Sequence, residues 1–168
     1  MTATPFTPRA GQIDFTHARV CPVVHCIVES ELGLLLVQRS KNHPSYPGYW
    51  SGITGFLDDG KSVTEKALEE IGEELGYSAP AVDDIQIDRP LLLEDVSNQK
   101  TWLTVPVFVR VRHAQVVLDW EADTFAWMSY EKACGMSNLM PGTQIVLQSI
   151  HTMRKHKVLL DWCRSARD

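Results

Sequence analysis

Residues 55–77 read GFLDDGKSVTEKALEEIGEELGY, and the architecture follows from this stretch. Residues 57–61 (LDDGK) are polar and carry a glycine, which marks a turn. Ser62 is a good helix N-cap, and Glu65 follows at capping-box spacing. Ala67, Leu68, Ile71 and Leu75 recur at i, i+3 and i+4 and form an apolar stripe. Gly76 stands where a helix commonly ends in a left-handed residue. A second stripe runs along the same helix. Glu70, Glu73 and Glu74 stand at i, i+3 and i+4, which stacks three carboxylates on one face. Like charges so placed repel by roughly 0.2–0.5 kcal/mol per pair. Stability alone would alternate them with lysine. The apolar stripe docks the helix and so fixes the acidic face in place. Such a cluster suits a hard cation, Mg²⁺ or Mn²⁺, whose ligands are carboxylate, water and phosphate oxygens.

Upstream, residues 20–28 (VCPVVHCIV) and 34–39 (LLLVQR) are short, apolar and rich in β-branched residues, and predict a strand hairpin. Residues 41–48 (KNHPSYPG) form a loop, and 49–56 (YWSGITGF) a short strand. Downstream, 84–94 and 102–112 predict two longer strands with a turn at 98–100, and 125–128 a short one. Residues 137–142 form a loop. A C-terminal helix is predicted over 143–164, burying Ile145, Val146, Ile150, Met153 and Leu160. Strands, a helix, strands and a long helix give an α/β (α+β) fold, a mixed sheet sandwiched between helices. At 168 residues the chain makes one domain, with residues 1–16 as a loose arm.

Composition narrows the function classes. A formal net charge of −5 lacks the basic footprint of a nucleic-acid polymer binder. It still permits a small anionic substrate, because a bound cation reverses the local sign. No apolar run reaches 18 residues, so no membrane span is expected. The first 15 residues lack the apolar core of a secretory signal, and the cytoplasm is the expected location. Cys21, Cys26, Cys134 and Cys163 form no CxxC pair, which argues against structural zinc; Cys21 and Cys26 read as buried thiols. His25 reads as a satisfied core histidine.

The segment resembles the Nudix family. That pattern has a glycine, five residues, a glutamate, seven residues, then Arg-Glu-aliphatic-any-Glu-Glu-any-Gly-aliphatic. Gly55, Glu70, Ile71, Glu73, Glu74 and Gly76 stand in register. The neighbouring YPGYWSGITGF and the acidic-then-Trp stretch 119–131 are similar too, so the likeness covers about residues 20–132. Two positions depart. Lys61 replaces a glutamate and Glu69 an arginine, while Tyr77 replaces the last aliphatic residue. The exchange of sign predicts a reversed ion pair, Lys61 to Glu69, that still pins the loop to the helix.

The resemblance implies Mg²⁺- or Mn²⁺-dependent cleavage of a phosphoanhydride in a nucleoside-diphosphate-linked compound. It implies Glu70, Glu73 and Glu74 as metal-facing and catalytic residues, with Glu73 and Glu74 as principal ligands, Glu70 as a further ligand or the residue that orients the water, and a carbonyl of the Thr54–Gly55 turn as another ligand. Glu121 is the candidate general base from a later loop. Arg39 is the candidate phosphate contact, since its fork suits phosphate. Trp50 and Trp102 are candidate stacking platforms, with core packing as the alternative for both. Dimers are common among similar proteins, so the resemblance allows a homodimer and leaves the oligomeric state open. The alternatives are a nucleotide-binding or protein-interaction module with weakened catalysis, and an isoprenoid-diphosphate isomerase. The isomerase is disfavoured because residues 51–56 lack a cysteine.

Overall fold

The computed structural model describes residues 10–165, with side chains through residue 156. Strand β1 (Val20–Ser30) lies at the centre, because its β-branched run is apolar on both faces. It pairs antiparallel with β2 (Gly33–Arg39) and β4 (Ile53–Phe56), and parallel with β7 (Lys100–Val111). The hairpin predicted from residues 20–39 is present, with Val28 opposite Leu35. Strand β3 (Trp50–Ser51) and β8 (Ala122–Met128) flank β2.

The single strand expected over 84–94 is two. β5 (Val82–Ile87) and β6 (Leu91–Asp95) both pair antiparallel with β7. Pro90 has no amide hydrogen to give the ladder, and the intervening Asp88 amide donates to the Pro106 carbonyl at 3.0 Å.

Helix α1 (Val63–Leu75) begins and ends as its sequence dictates. The Ser62 hydroxyl accepts from the Glu65 amide, and the Glu65 carboxylate accepts from the Ser62 amide at 2.8 Å. Gly76 closes it at φ 74°. Ala67, Ile71 and Leu75 pack with Val24, Cys26, Val105 and Val107 on one face of the sheet. A short helix α2 (Tyr130–Cys134), absent from the expectation, and the long α3 (Thr143–Ser165) cover the other face. There Val146, Leu147 and Ile150 meet Ile27, Leu36 and Phe108. Ile145, expected inside, is 48% exposed, and Leu147 takes its place. Leu160 lies outside the described side chains. Among the described residues no helix is long and apolar enough to cross a membrane.

The arm is less loose than expected over its described part. Gln12 Nε2 donates to the Asp58 carboxylate at 2.6 Å, the Ile13 amide to the Asp58 carbonyl at 2.6 Å, and Phe15 stacks on Phe56 at 6.0 Å. Cys21, Cys26 and Cys134 are free thiols, the first two buried.

Candidate active site

Gly55 and Glu70 meet where β4 passes beneath α1. A Cβ on Gly55 would run into Oε1, Cδ and Cγ of Glu70. The glycine therefore gives the Glu70 side chain its room over the strand. One turn further, Glu74 is only 8% exposed. The segment after β7 runs back along the end of α1, where the Val117 amide donates to the Leu75 carbonyl and the Asp119 amide to the Glu74 carbonyl. That path brings Asp119 and Glu121 towards Glu74. Glu121 is further fixed by its carbonyl, which accepts from the Ser40 amide at 2.7 Å.

The electrostatics follow from this crowding. Burial, then the charges of Glu121 and Glu70, push the Glu74 carboxyl up to about 9. Burial also raises Glu70 to about 7, with the charges of Glu73 and Glu121 adding to it. The Cys26 thiol on β1 is pushed up by burial and by Glu74 and Glu70 together, which places both carboxylates over this strand. Neither carboxylate takes a hydrogen bond or an ion pair among the described residues. Glu73 is exposed. Among the described residues no three His, Cys, Asp or Glu side chains converge closely enough to hold an ion as they stand.

Arg39, at the end of β2, is half-buried on the same side. Its Nε donates to the Ser45 carbonyl at 2.9 Å, and Nη2 lies 2.8 Å from Nδ1 and 2.7 Å from Nε2 of His43. Burial lowers its pKa against the pull of Glu74 and Glu121, so the guanidinium shares their field. His43 Nε2 is 3.3 Å from Glu121 Oε2. Trp120, 66% exposed, stacks parallel to the His43 ring at 6.3 Å.

The aromatic candidates lie elsewhere. Trp50 packs with the α3-side core, on the face away from α1, and bridges to Leu139. Trp102 Nε1 donates to Asp95 at 3.0 Å, and its ring tilts against the exposed Phe56 at 6.0 Å. Asp95 also accepts from the Tyr46 hydroxyl at 2.6 Å, which ties the 41–48 loop to β6. His25 is buried, as expected, and burial lowers it to about 4. It is not satisfied, however: Nε2 has no partner among the described residues.

The two departures from the family pattern are joined. Lys61 Nζ lies 2.6 Å from Glu69 Oε1. A residue the sequence reading passed over completes the network. Lys66, 6% exposed, reaches Glu69 at 2.8 Å, Asp59 at 2.9 Å and Asp58 at 3.6 Å. Burial works against its charge, but the bonds to Glu69 and Asp59 win and raise its pKa. The signal in the sequence was a lysine directly beside the apolar stripe, three residues before Glu69. His43 carried no comparable signal, because its partners are brought up by a different strand.

Solved structures share this fold. The MutT protein of Methanosarcina mazei Go1 superposes with a TM-score of 0.66 at 22% identity, over 83% of this chain and 98% of that one. A Caenorhabditis elegans Ap4A hydrolase gives 0.64 at 16%, over 81% and 98%. The NUDIX domain of Shewanella oneidensis NrtR, complexed with ADP ribose, gives 0.66 at 16%, over 86% and 94%. A search of curated proteins returned no match. The model of the NUDIX domain matches residues 20–149. That match runs from β1 through the first turns of α3. The chain belongs to the Nudix family.

Proposed function

We propose that this chain hydrolyses a phosphoanhydride in a nucleoside-diphosphate-linked compound, with Mg²⁺ or Mn²⁺ at the glutamates of α1. The observation that carries this reading is Glu74, a buried carboxylate that faces Glu70 and Glu121 without a donor. A buried charge without a partner is costly, and such groups concentrate at functional sites. The donor set is all carboxylate oxygen, which fits a hard divalent ion and not a soft one.

Glu74 and Glu70 are assigned as principal ligands. Exposed Glu73 is assigned as a further ligand from the solvent side, and the Thr54–Gly55 turn as a carbonyl donor. An ion held there would screen the diphosphate charge and activate a water. Arg39 is assigned to the phosphate oxygens, and Glu121 to the proton of the attacking water. Names among the solved relatives, an Ap4A hydrolase and an ADP-ribose complex, support a nucleotide-derived substrate. The Lys61–Glu69 bond supports retained function, because the sign-exchanged pair still ties the loop to the helix.

The test is a panel of ADP-ribose, dinucleoside polyphosphates, nucleoside triphosphates and sugar nucleotides with Mg²⁺ or Mn²⁺. Release of phosphate or mononucleotide is expected from at least one of them. Tight binding with no release would instead make the chain a nucleotide sensor.

A further inference from the structure

On the reading that Glu121 and Arg39 serve hydrolysis, we propose that His43 is a positioning residue that holds both of them at the mouth of the acidic site. The ring is largely buried, with its side chain 11% exposed, although it belongs to a loop. It stands between the two groups. Arg39 Nη2 lies 2.8 Å from Nδ1 and 2.7 Å from Nε2, the Ser45 amide 3.1 Å and the Ser45 carbonyl 2.9 Å from Nδ1, and Glu121 Oε2 3.3 Å from Nε2.

One arrangement of the proton lets the ring hold both groups. Arginine only donates, and an ionised carboxylate only accepts. To hold both, Nδ1 must accept from Arg39 and Nε2 must donate to Glu121; the opposite tautomer would turn Nδ1–H to the Ser45 carbonyl, leave Nε2 to Arg39 and release Glu121. The neutral ring with its proton on Nε2 meets both demands. Arg39 Nη2 and the Ser45 amide then donate to Nδ1, and Nε2–H donates to Glu121. Trp120 lies parallel to the ring, with 6.3 Å between centroids. In that state His43 joins the Arg39 guanidinium at the end of β2 to the carboxylate of Glu121, just ahead of β8.

A ring that merely filled space would tolerate phenylalanine, which keeps the stack on Trp120 and loses both hydrogen bonds. A ring that positions would not. Glutamine restores an N–H donor near the place of Nε2. With a substrate from the panel above, His43→Phe is expected to lower kcat about 100-fold with a smaller change in KM, the scale of a misplaced catalytic group, and His43→Gln to regain about tenfold. Wild-type kcat in His43→Phe, or equal values for the two variants, would overturn the proposal.

A second measurement is independent of turnover and of how the variants fold. The ¹⁵N spectrum of the His43 ring in the wild-type chain should show a protonated Nε2 and a bare Nδ1. Faster exchange of the Nε2 proton is expected in Glu121→Ala. A proton on Nδ1 in the wild type would sink the idea whether or not the chain is active. Absence of turnover across the whole panel, with the Nε2–H ring present, would instead strike at the hydrolase reading and leave His43 as the holder of Glu121.

Discussion

Glu29 and Glu74 are both drawn out of full solvent exposure, and they are treated in opposite ways. Glu29, near the end of β1, accepts from Arg154 at 2.6 and 3.0 Å and from Arg110 at 2.8 and 3.2 Å. Arg154 in turn lies 4.2 Å over the Phe108 ring. Every donor a carboxylate could want is present, and the result ties α3 to the sheet. Glu74 is more buried, has two other carboxylates close by, and receives no donor among the described residues. The first arrangement joins elements of the fold. The second works against folding and makes physical sense as a place for a cation. The Lys61–Lys66 network lies between these cases: it holds a loop in place and leaves the acidic face unneutralised.

The largest expected effect breaks the second site. Glu74→Gln keeps the shape and removes the charge, and should lower kcat by about 100-fold or more, the scale of losing a group that holds transition-state charge. The same variant, free of metal at pH 8, should melt no lower than the wild type, because glutamine needs to take up no proton to sit among the other carboxylates. Steady-state kinetics and thermal melts check both halves. A melt that fell sharply while turnover stayed normal would make Glu74 a structural residue like Glu29.

Acidity gives the next test. Glu74 ionises near 4.5 when unfolded and near 9 when folded. Between those values the native chain holds a proton that the unfolded chain has lost, so Glu74's share of the metal-free stability falls as pH rises and is gone above about 9. Glu70, raised to about 7, acts in the same direction up to that pH. His25, lowered to about 4, opposes them only below 6.5. The window from pH 7 to 9 is therefore governed mainly by Glu74, with the buried Cys26 thiol, raised from 9.0, adding in the same direction at its upper end. Melts there should decline in chelator, decline less with Mg²⁺, and flatten in Glu74→Gln. A stability that rose with pH in chelator would contradict the crowding of the carboxylates.

Breaking the loop network is a smaller change. Lys66→Met leaves Asp58 and Glu69 without their buried cation and should cost about 3 kcal/mol, the range for removing one partner of a buried pair. Denaturant titration reads this directly. Smallest of all, Glu29→Gln should cost about 1 kcal/mol, since both arginines stay partly solvated, and should leave kcat unchanged.

How legible all this was depends on the range of the interactions. Helix α1 was readable from Ser62 to Gly76 because its cap, its stripe and its stop are all local. The sandwich followed from the order of elements. The Lys61–Glu69 bond was readable because the family pattern supplies the geometry that the spacing alone does not. The division of 84–94 at Pro90 was passed over, although the proline stood in view. Ile145 was misplaced because two adjacent apolar residues, Ile145 and Val146, cannot both face inward on a helix also burying Leu147 and Ile150. His43 was not readable as a site, since Glu121 reaches it from a distant part of the chain; Lys66 stood three residues before Glu69, but its bonds to Asp58 and Asp59 depend on a turn whose path the sequence does not give.

The docked arm has a practical consequence for anyone shortening the chain. A version starting at Val20 would retain all of the NUDIX match and yet lose both bonds to Asp58, the stack on Phe56, and the carbonyls of Phe15, Thr16 and Ala18 that Lys100 grips. The turn leading into the acidic helix would lose an outside brace without any change to its own residues. The packed edge of this domain therefore lies upstream of the NUDIX match and reaches back at least to Gln12.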